Sequence, residues 1–169
     1  VDLLTAEEMI AKQKCTTENL LTKKAHLREA MQLYLVTDRK WLNEESLCSQ
    51  VGKAVGAGVT FVQLREKNLS DEEFLASARQ IKEILRASFV PFVINDNIQI
   101  AIEADADGVH IGQNDGSLAA ARKRLGPDKI IGVSAHSVAE ALQAKKDGAD
   151  YLGVGAVFET TSKSDANTV

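Results

Sequence analysis

Cysteine is scarce. Cys15 and Cys48 are the two in 169 residues, far apart and without a paired spacing. A disulfide framework is excluded, and two free thiols in a reducing compartment are expected. Histidine is nearly as rare, with His26, His110 and His136 scattered along the chain. Without clustered cysteines, that distribution argues against zinc. No apolar run is long enough to span a bilayer, and the opening residues do not form a signal peptide. Basic charge is not in excess either: the net charge is −4 and the sequence pI about 5.4. No electrostatic footprint for nucleic acid exists, so an anionic ligand must be drawn by a local cluster. A cytoplasmic protein without membrane or nucleic-acid partners is the expectation. The remaining composition, 44% hydrophobic and 26% charged, is that of a globular chain long enough to bury one core. Val1 is not an initiator, so the chain is expected to begin inside a longer product or just after disordered residues.

Residues 1–31 differ in pattern from the rest of the chain. Thr5 and Glu8 have capping-box spacing, and Leu20, Leu21, Leu27 and Met31 recur at roughly helical period. This predicts a helical N-terminal arm that covers part of a domain spanning 32–169. A homo-oligomer held by the arm is compatible with the pattern, although no self-complementary stripe supports it. From Gln32 onward, short apolar runs alternate with amphipathic stretches. The runs lie at 33–36, 59–64, 90–94, 108–111, 130–133 and 151–158. They are largely apolar on both faces, as buried parallel strands are. Helices are predicted at 46–57, 70–85, 117–125 and 137–148. Ser70/Glu73 and Ser137/Glu140 have capping-box spacing, and Gly148 stands where a helix would end. Repeated strand–helix units at this spacing predict a parallel α/β fold.

Polarity enters each run at its carboxyl end: VTDR, QLREK, INDN, HIGQND, VSAH and FETTSK. Ligand sites of parallel α/β folds lie beyond the carboxyl ends of the strands. One polar ending is a turn, but six in succession describe the wall of a shared cavity. On a continuing strand, Gln63, Arg65 and Lys67 would share one side, and the two cations would suit a multiply charged anion. Gln63 sits inside an apolar run and needs a partner. Asp96 and Asp115 end consecutive units, where two carboxylates can converge on Mg²⁺ that also binds phosphate oxygens. Ser134, Thr160, Thr161, Ser162 and Lys163 add hydroxyls and a further cation, a weak signal taken alone. His110 lies mid-strand, where a satisfied core histidine is the simpler reading than a catalytic base.

Taken together, LYLVTDR, FVQLREK, VPFVINDN, ADGVHIGQND, GVSAHS and DGADYLGVGAVFETTSK strongly resemble the thiamine-phosphate synthase family over residues 32–169. The resemblance implies a TIM (β/α)8 barrel. It implies a transferase that joins a hydroxymethylpyrimidine diphosphate to a thiazole phosphate with Mg²⁺, releasing pyrophosphate. Asp96 and Asp115 would bind the metal, and Arg65, Lys67, Asn95 and Lys163 the pyrophosphate. Gln63 and Ser134 would contact the pyrimidine, and Thr160 and Ser162 the thiazole phosphate. Arg65, Lys67, Ser134 and Lys163 would be the catalytic set. Glu159 and Ser162 stand where the family more often has Pro and Thr. The chain stops after the sixth strand, so a barrel lacking its last two units, with two exposed edges, is expected. Either the natural chain runs on past Val169, or the product is truncated there, in which case little or no activity is expected. A thiazole tautomerase-like relative and a non-catalytic remnant that binds thiazole or thiamine phosphates are the alternatives.

Overall fold

The computed structural model describes residues 26–158; the greater part of the arm, Cys15, and Glu159, Thr160, Thr161, Ser162 and Lys163 lie outside them. Residues 26–30 are helical (α1). Six strands follow: β1 (Tyr34–Val36), β2 (Phe61–Leu64), β3 (Phe92–Asn95), β4 (Gly108–Ile111), β5 (Ile130–Ala135) and β6 (Tyr151–Val154). Between them run α2 (Leu47–Gly56), α3 (Asp71–Ala87), α4 (Ile98–Glu103), α5 (Leu118–Leu125) and α6 (Val138–Lys146). Each strand pairs in parallel with the next, in the order β1-β2-β3-β4-β5-β6. A doubly wound sheet would reverse its order at a switch point; this one never does.

The sheet is curled into a half-barrel. Five strand spacings of about 4.8 Å would put β1 and β6 roughly 24 Å apart in a flat sheet. Instead, the hydroxyls of Tyr34 on β1 and Tyr151 on β6 meet at 2.7 Å, with ring centroids 5.9 Å apart. The alternation of side chains along each strand then separates two apolar groups. Val62, Leu64, Phe92, Ile94, Val109, Ile111, Ile131 and Val133 face outward and are sealed by the helices. Phe61, Val93, Tyr34, Ile130 and Tyr151 face inward, where Leu27 of α1 packs against them. The short helix α1 therefore packs at the amino-terminal mouth of the curl. Among the described residues no strand covers the outer edge of β1 or β6, and Val138 and Leu142 of α6 stay exposed beside that edge.

Local chemistry starts the helices where the spacing predicts. Ser70 and Glu73 form a reciprocal capping box on α3. Ser137 caps α6 through the Glu140 N–H, but the Glu140 carboxylate turns to the His136 N–H instead of closing the box. Gly148 follows α6 at φ +91°, the left-handed conformation that glycine adopts without a steric penalty. Two elements differ from expectation. The short helix α4 was not predicted, because IQIAIE is brief and repeats Ile at every second position as a strand would; Asn97, capping the Ile100 N–H, starts it. β6 ends at Val154, well short of Phe158. No described helix is long and apolar enough to cross a membrane.

Candidate active site at the carboxyl edge of the sheet

Asp96 occupies the turn after β3 with φ +64°. Asp tolerates this left-handed conformation better than branched residues do. Its N–H bonds the His110 carbonyl at 2.7 Å, which fixes the turn against β4. Within VINDN the strand therefore ends at Asn95, and Asp96 makes the turn that sets its carboxylate at the carboxyl edge of the sheet. The Asp96 carboxylate takes the Lys67 ammonium at 2.9 Å. Asp115 hangs from the loop after β4, and its Oδ2 accepts from the Gly112 N–H at 2.7 Å. Burial raises the Asp115 carboxyl above the usual range, and hydrogen bonding to Asp96 raises it further; the Gly112 N–H and the Lys67 charge oppose this. The neighbouring Asp96 carboxylate thus disfavours the charged form of Asp115, and a bound cation would relieve that. Among the described residues no cluster of three or more His, Cys, Asp or Glu forms a metal site. A pair that leaves other positions to water and phosphate oxygens suits Mg²⁺, which keeps several waters.

β2 stops at Leu64, so the strand alternation that would align Gln63, Arg65 and Lys67 stops with it. Lys67 reaches across to Asp96. Arg65, whose N–H bonds the Thr37 hydroxyl at 3.0 Å, borders a cavity of about 380 Å³ with Asp38, Trp41 and Gln50. The two cations therefore serve neighbouring parts of the rim. Glu66 between them is buried against Arg39, which grips both its carboxylate oxygens at 2.9 Å and ties the β1 and β2 loops together.

Below the rim, the inside of the curl holds a polar layer. Gln63, Asn95 and His110 are buried there. The Gln63 amide donates to the Tyr34 hydroxyl at 2.7 Å, supplying the partner its position demanded. His110 places Nδ1 at 3.0 Å from the Tyr151 hydroxyl and Nε2 at 2.9 Å from the Ser134 hydroxyl. It is a satisfied interior histidine, as expected, and also a link between two strands. Burial pushes both tyrosine hydroxyls up, for Tyr34 against the lowering effect of its Tyr151 and Gln63 bonds; Tyr151 is raised further by Tyr34. Both phenols remain protonated at neutral pH.

The structure thus gathers Lys67, Asp96 and Asp115 at the rim and Gln63, His110 and Ser134 beneath it, with Arg65 to one side. The positions of Thr160, Ser162 and Lys163 lie outside the described residues. Sequence reasoning missed Tyr34, Tyr151 and Thr37. Two tyrosines opening otherwise apolar strands were the available signal, since a buried phenol requires a partner.

A curled sheet of sequential parallel strands, with a cation, two carboxylates and buried amides at its carboxyl edge, defines a barrel-type α/β scaffold whose polar rim lies where this architecture places its ligand sites. Comparison with known proteins narrows that class. The chain belongs to the family described as thiamine monophosphate synthase, whose profile matches residues 33–169. It is 54% identical over 138 residues to a thiamine-phosphate synthase of Clostridium acetobutylicum, covering 82% of this chain and 65% of the relative. It is 50% identical over 139 residues to thiamine-phosphate synthase 2 of Streptococcus pneumoniae, covering 82% and 66%. The chain therefore spans about two thirds of the length of these relatives. Its fold is similar to that of a thiamine phosphate pyrophosphorylase from Pyrococcus furiosus, with a TM-score of 0.75 and 37% identity, covering 84% of this chain and 66% of that one.

Proposed function

We propose that this chain carries the pyrimidine and pyrophosphate half of a thiamine-phosphate synthase site on a barrel that eight strands would close. In the reaction, the bond between the pyrimidine methylene carbon and the diphosphate oxygen breaks, and the electron pair departs with pyrophosphate. The thiazole nitrogen then donates its lone pair to the methylene cation, forming the new C–N bond. No strong general base is required. The step needs charge stabilisation at the leaving group and close positioning of the nucleophile.

The observation that carries this reading is the convergence of Lys67, Asp96 and Asp115 above an interior amide and hydroxyl. Asp96 and Asp115 would hold Mg²⁺, which when bound would neutralise developing charge on the leaving pyrophosphate. Lys67, Arg65, Asn95 and Lys163 would bind its oxygens, while Gln63 and Ser134 would hold the pyrimidine ring. Thr160 and Ser162 would take the thiazole phosphate.

The test is calorimetric titration of the pyrimidine diphosphate with and without Mg²⁺, followed by pyrophosphate release on adding the thiazole phosphate. Mg²⁺-dependent binding, weakened at least tenfold in Asp96→Ala, is expected. Equal affinity in both proteins, or in both metal conditions, would remove the carboxylate pair from the site.

A further inference from the structure

Five side chains inside the curl form one continuous hydrogen-bonded chain: Gln63 to Tyr34 at 2.7 Å, Tyr34 to Tyr151 at 2.7 Å, Tyr151 to His110 at 3.0 Å, and His110 to Ser134 at 2.9 Å. It crosses from β2 through β1, β6 and β4 to β5. Gln63 and His110 are buried, at 5% and 7% exposure. The fold keeps room for it. A Cβ on Gly132 would lie 2.1 Å from Tyr151 Cζ, and one on Gly153 would lie 2.9 Å from His110 Cε1.

Such a chain has direction. Each hydroxyl carries one proton, and a neutral imidazole has one donor and one acceptor nitrogen. The Gln63 NH₂ donates to Tyr34. Tyr34 could accept a second time, but its own buried proton would then have no described acceptor, so it gives that proton to Tyr151. Tyr151 gives its proton to His110 Nδ1. His110 therefore carries its proton on Nε2 and donates to Ser134 Oγ. The Ser134 proton is left over for an external acceptor, and the Gln63 carbonyl oxygen for an external donor. Reversing the Tyr34–Tyr151 link reverses those beyond it and turns Ser134 into an acceptor; turning the Gln63 amide as well would make that end a donor.

We propose that Tyr34, Tyr151 and His110 are positioning residues, whose one-way hydrogen-bond chain makes Ser134 a donor and Gln63 an acceptor and so selects an aminopyrimidine over its oxo counterpart. This rests on the pyrimidine reading above for the identity of the ligand. An aminopyrimidine offers an amino donor beside a ring-nitrogen acceptor, the complement of these two ends. The 4-oxo ring offers a carbonyl acceptor beside a ring N–H donor, which leaves both ends mismatched. Sites built on such buried polar groups reject the mismatched analogue strongly, because the protein's own groups are left unpaired.

Two measurements test this independently. Nitrogen-15 NMR of the His110 ring, recorded well above the ordinary imidazole titration range, reads the tautomer without any ligand. The Nε2–H form is expected; the Nδ1–H form overturns the proposal. Tyr151→Phe then removes the central link and lets His110 take either tautomer. The wild-type chain is expected to prefer 4-amino-5-hydroxymethyl-2-methylpyrimidine diphosphate over its 4-oxo analogue by at least a hundredfold. Tyr151→Phe, confirmed folded by thermal unfolding, should lose at least tenfold of that preference while its affinity for inorganic pyrophosphate with Mg²⁺ is unchanged. Full selectivity in the variant overturns the proposal. A wild-type chain in the Nε2–H form that binds neither ring refutes the substrate reading, and leaves the direction of the chain established by the nitrogen spectrum.

Discussion

Gly132→Ala should be among the most damaging single-methyl additions in this protein. The new Cβ would stand 2.1 Å from Tyr151 Cζ and 2.4 Å from its Oη. Carbon atoms in contact sit about 3.5–4.0 Å apart, so the ring must withdraw by roughly 1.4 Å or more. The hydroxyl bonds to Tyr34 and His110, now 2.7 and 3.0 Å, would then stretch past the roughly 3.5 Å at which a hydrogen bond ceases to count. Overpacking costs about 1–3 kcal/mol, and two lost hydrogen bonds add about 1 kcal/mol each. Allowing for relaxation, the expected loss is about 3 kcal/mol. The cost is steric, because Gly132 is not among the positive-φ positions. Gly56→Ala, with nothing within 4 Å of the added methyl, serves as the control and should stabilise by about 0.5 kcal/mol or more. Urea unfolding followed by circular dichroism measures both. In a Tyr151→Ala background the clash partner is gone, and Gly132→Ala should cost almost nothing. A loss below about 1 kcal/mol in the wild type, or the same loss in both backgrounds, would refute the placement of the ring.

Two further predictions concern ion pairs. Lys129 and Lys82 both bond Asp105, and these bonds hold its carboxyl down at about 2. The folded value lies below the unfolded one, so the stabilisation is full above about pH 4 and is lost as pH falls towards 2. Because the side chain is 76% exposed, screening limits the effect to under about 1 kcal/mol. Asp105→Asn should cost that much at neutral pH and nothing near pH 2, measured by urea unfolding at each pH. Arg122 is different: it bonds Asp150, whose side chain is 5% exposed, at 2.6 Å. Arg122→Ala takes the guanidinium away from that buried carboxylate, which also accepts from the Ile131 N–H, and should cost about 3 kcal/mol in the same assay.

Much of the candidate site was readable in the sequence, for a physical reason. In parallel α/β units the strands are apolar and the loops after them carry the chemistry, so a polar residue at a strand's carboxyl end marks the cavity wall directly. Asp96, Asp115, Gln63 and Ser134 were picked out that way, and the structure sets them at or just beneath the carboxyl edge of the sheet. The reading of Gln63, Arg65 and Lys67 as one row was less successful, because it assumed β2 continued; a strand's end depends on where its neighbours stop pairing, which local pattern does not reveal. The short α4 escaped for a related reason, since six residues hold too little periodicity to separate helix from strand.

By itself, the sequence determined the succession of six strands and every helix between them but α4, the Ser70 and Ser137 N-caps, and the family. Those depend on periodicity, short-range hydrogen bonding and runs of residues contiguous in the chain. The tertiary structure alone decided that Tyr34 and Tyr151, 117 positions apart, share a hydrogen bond and join Gln63 to Ser134 through His110. That contact exists because the curl of the sheet brings its first and sixth strands together around two glycines, and no local pattern encodes the radius of a curl.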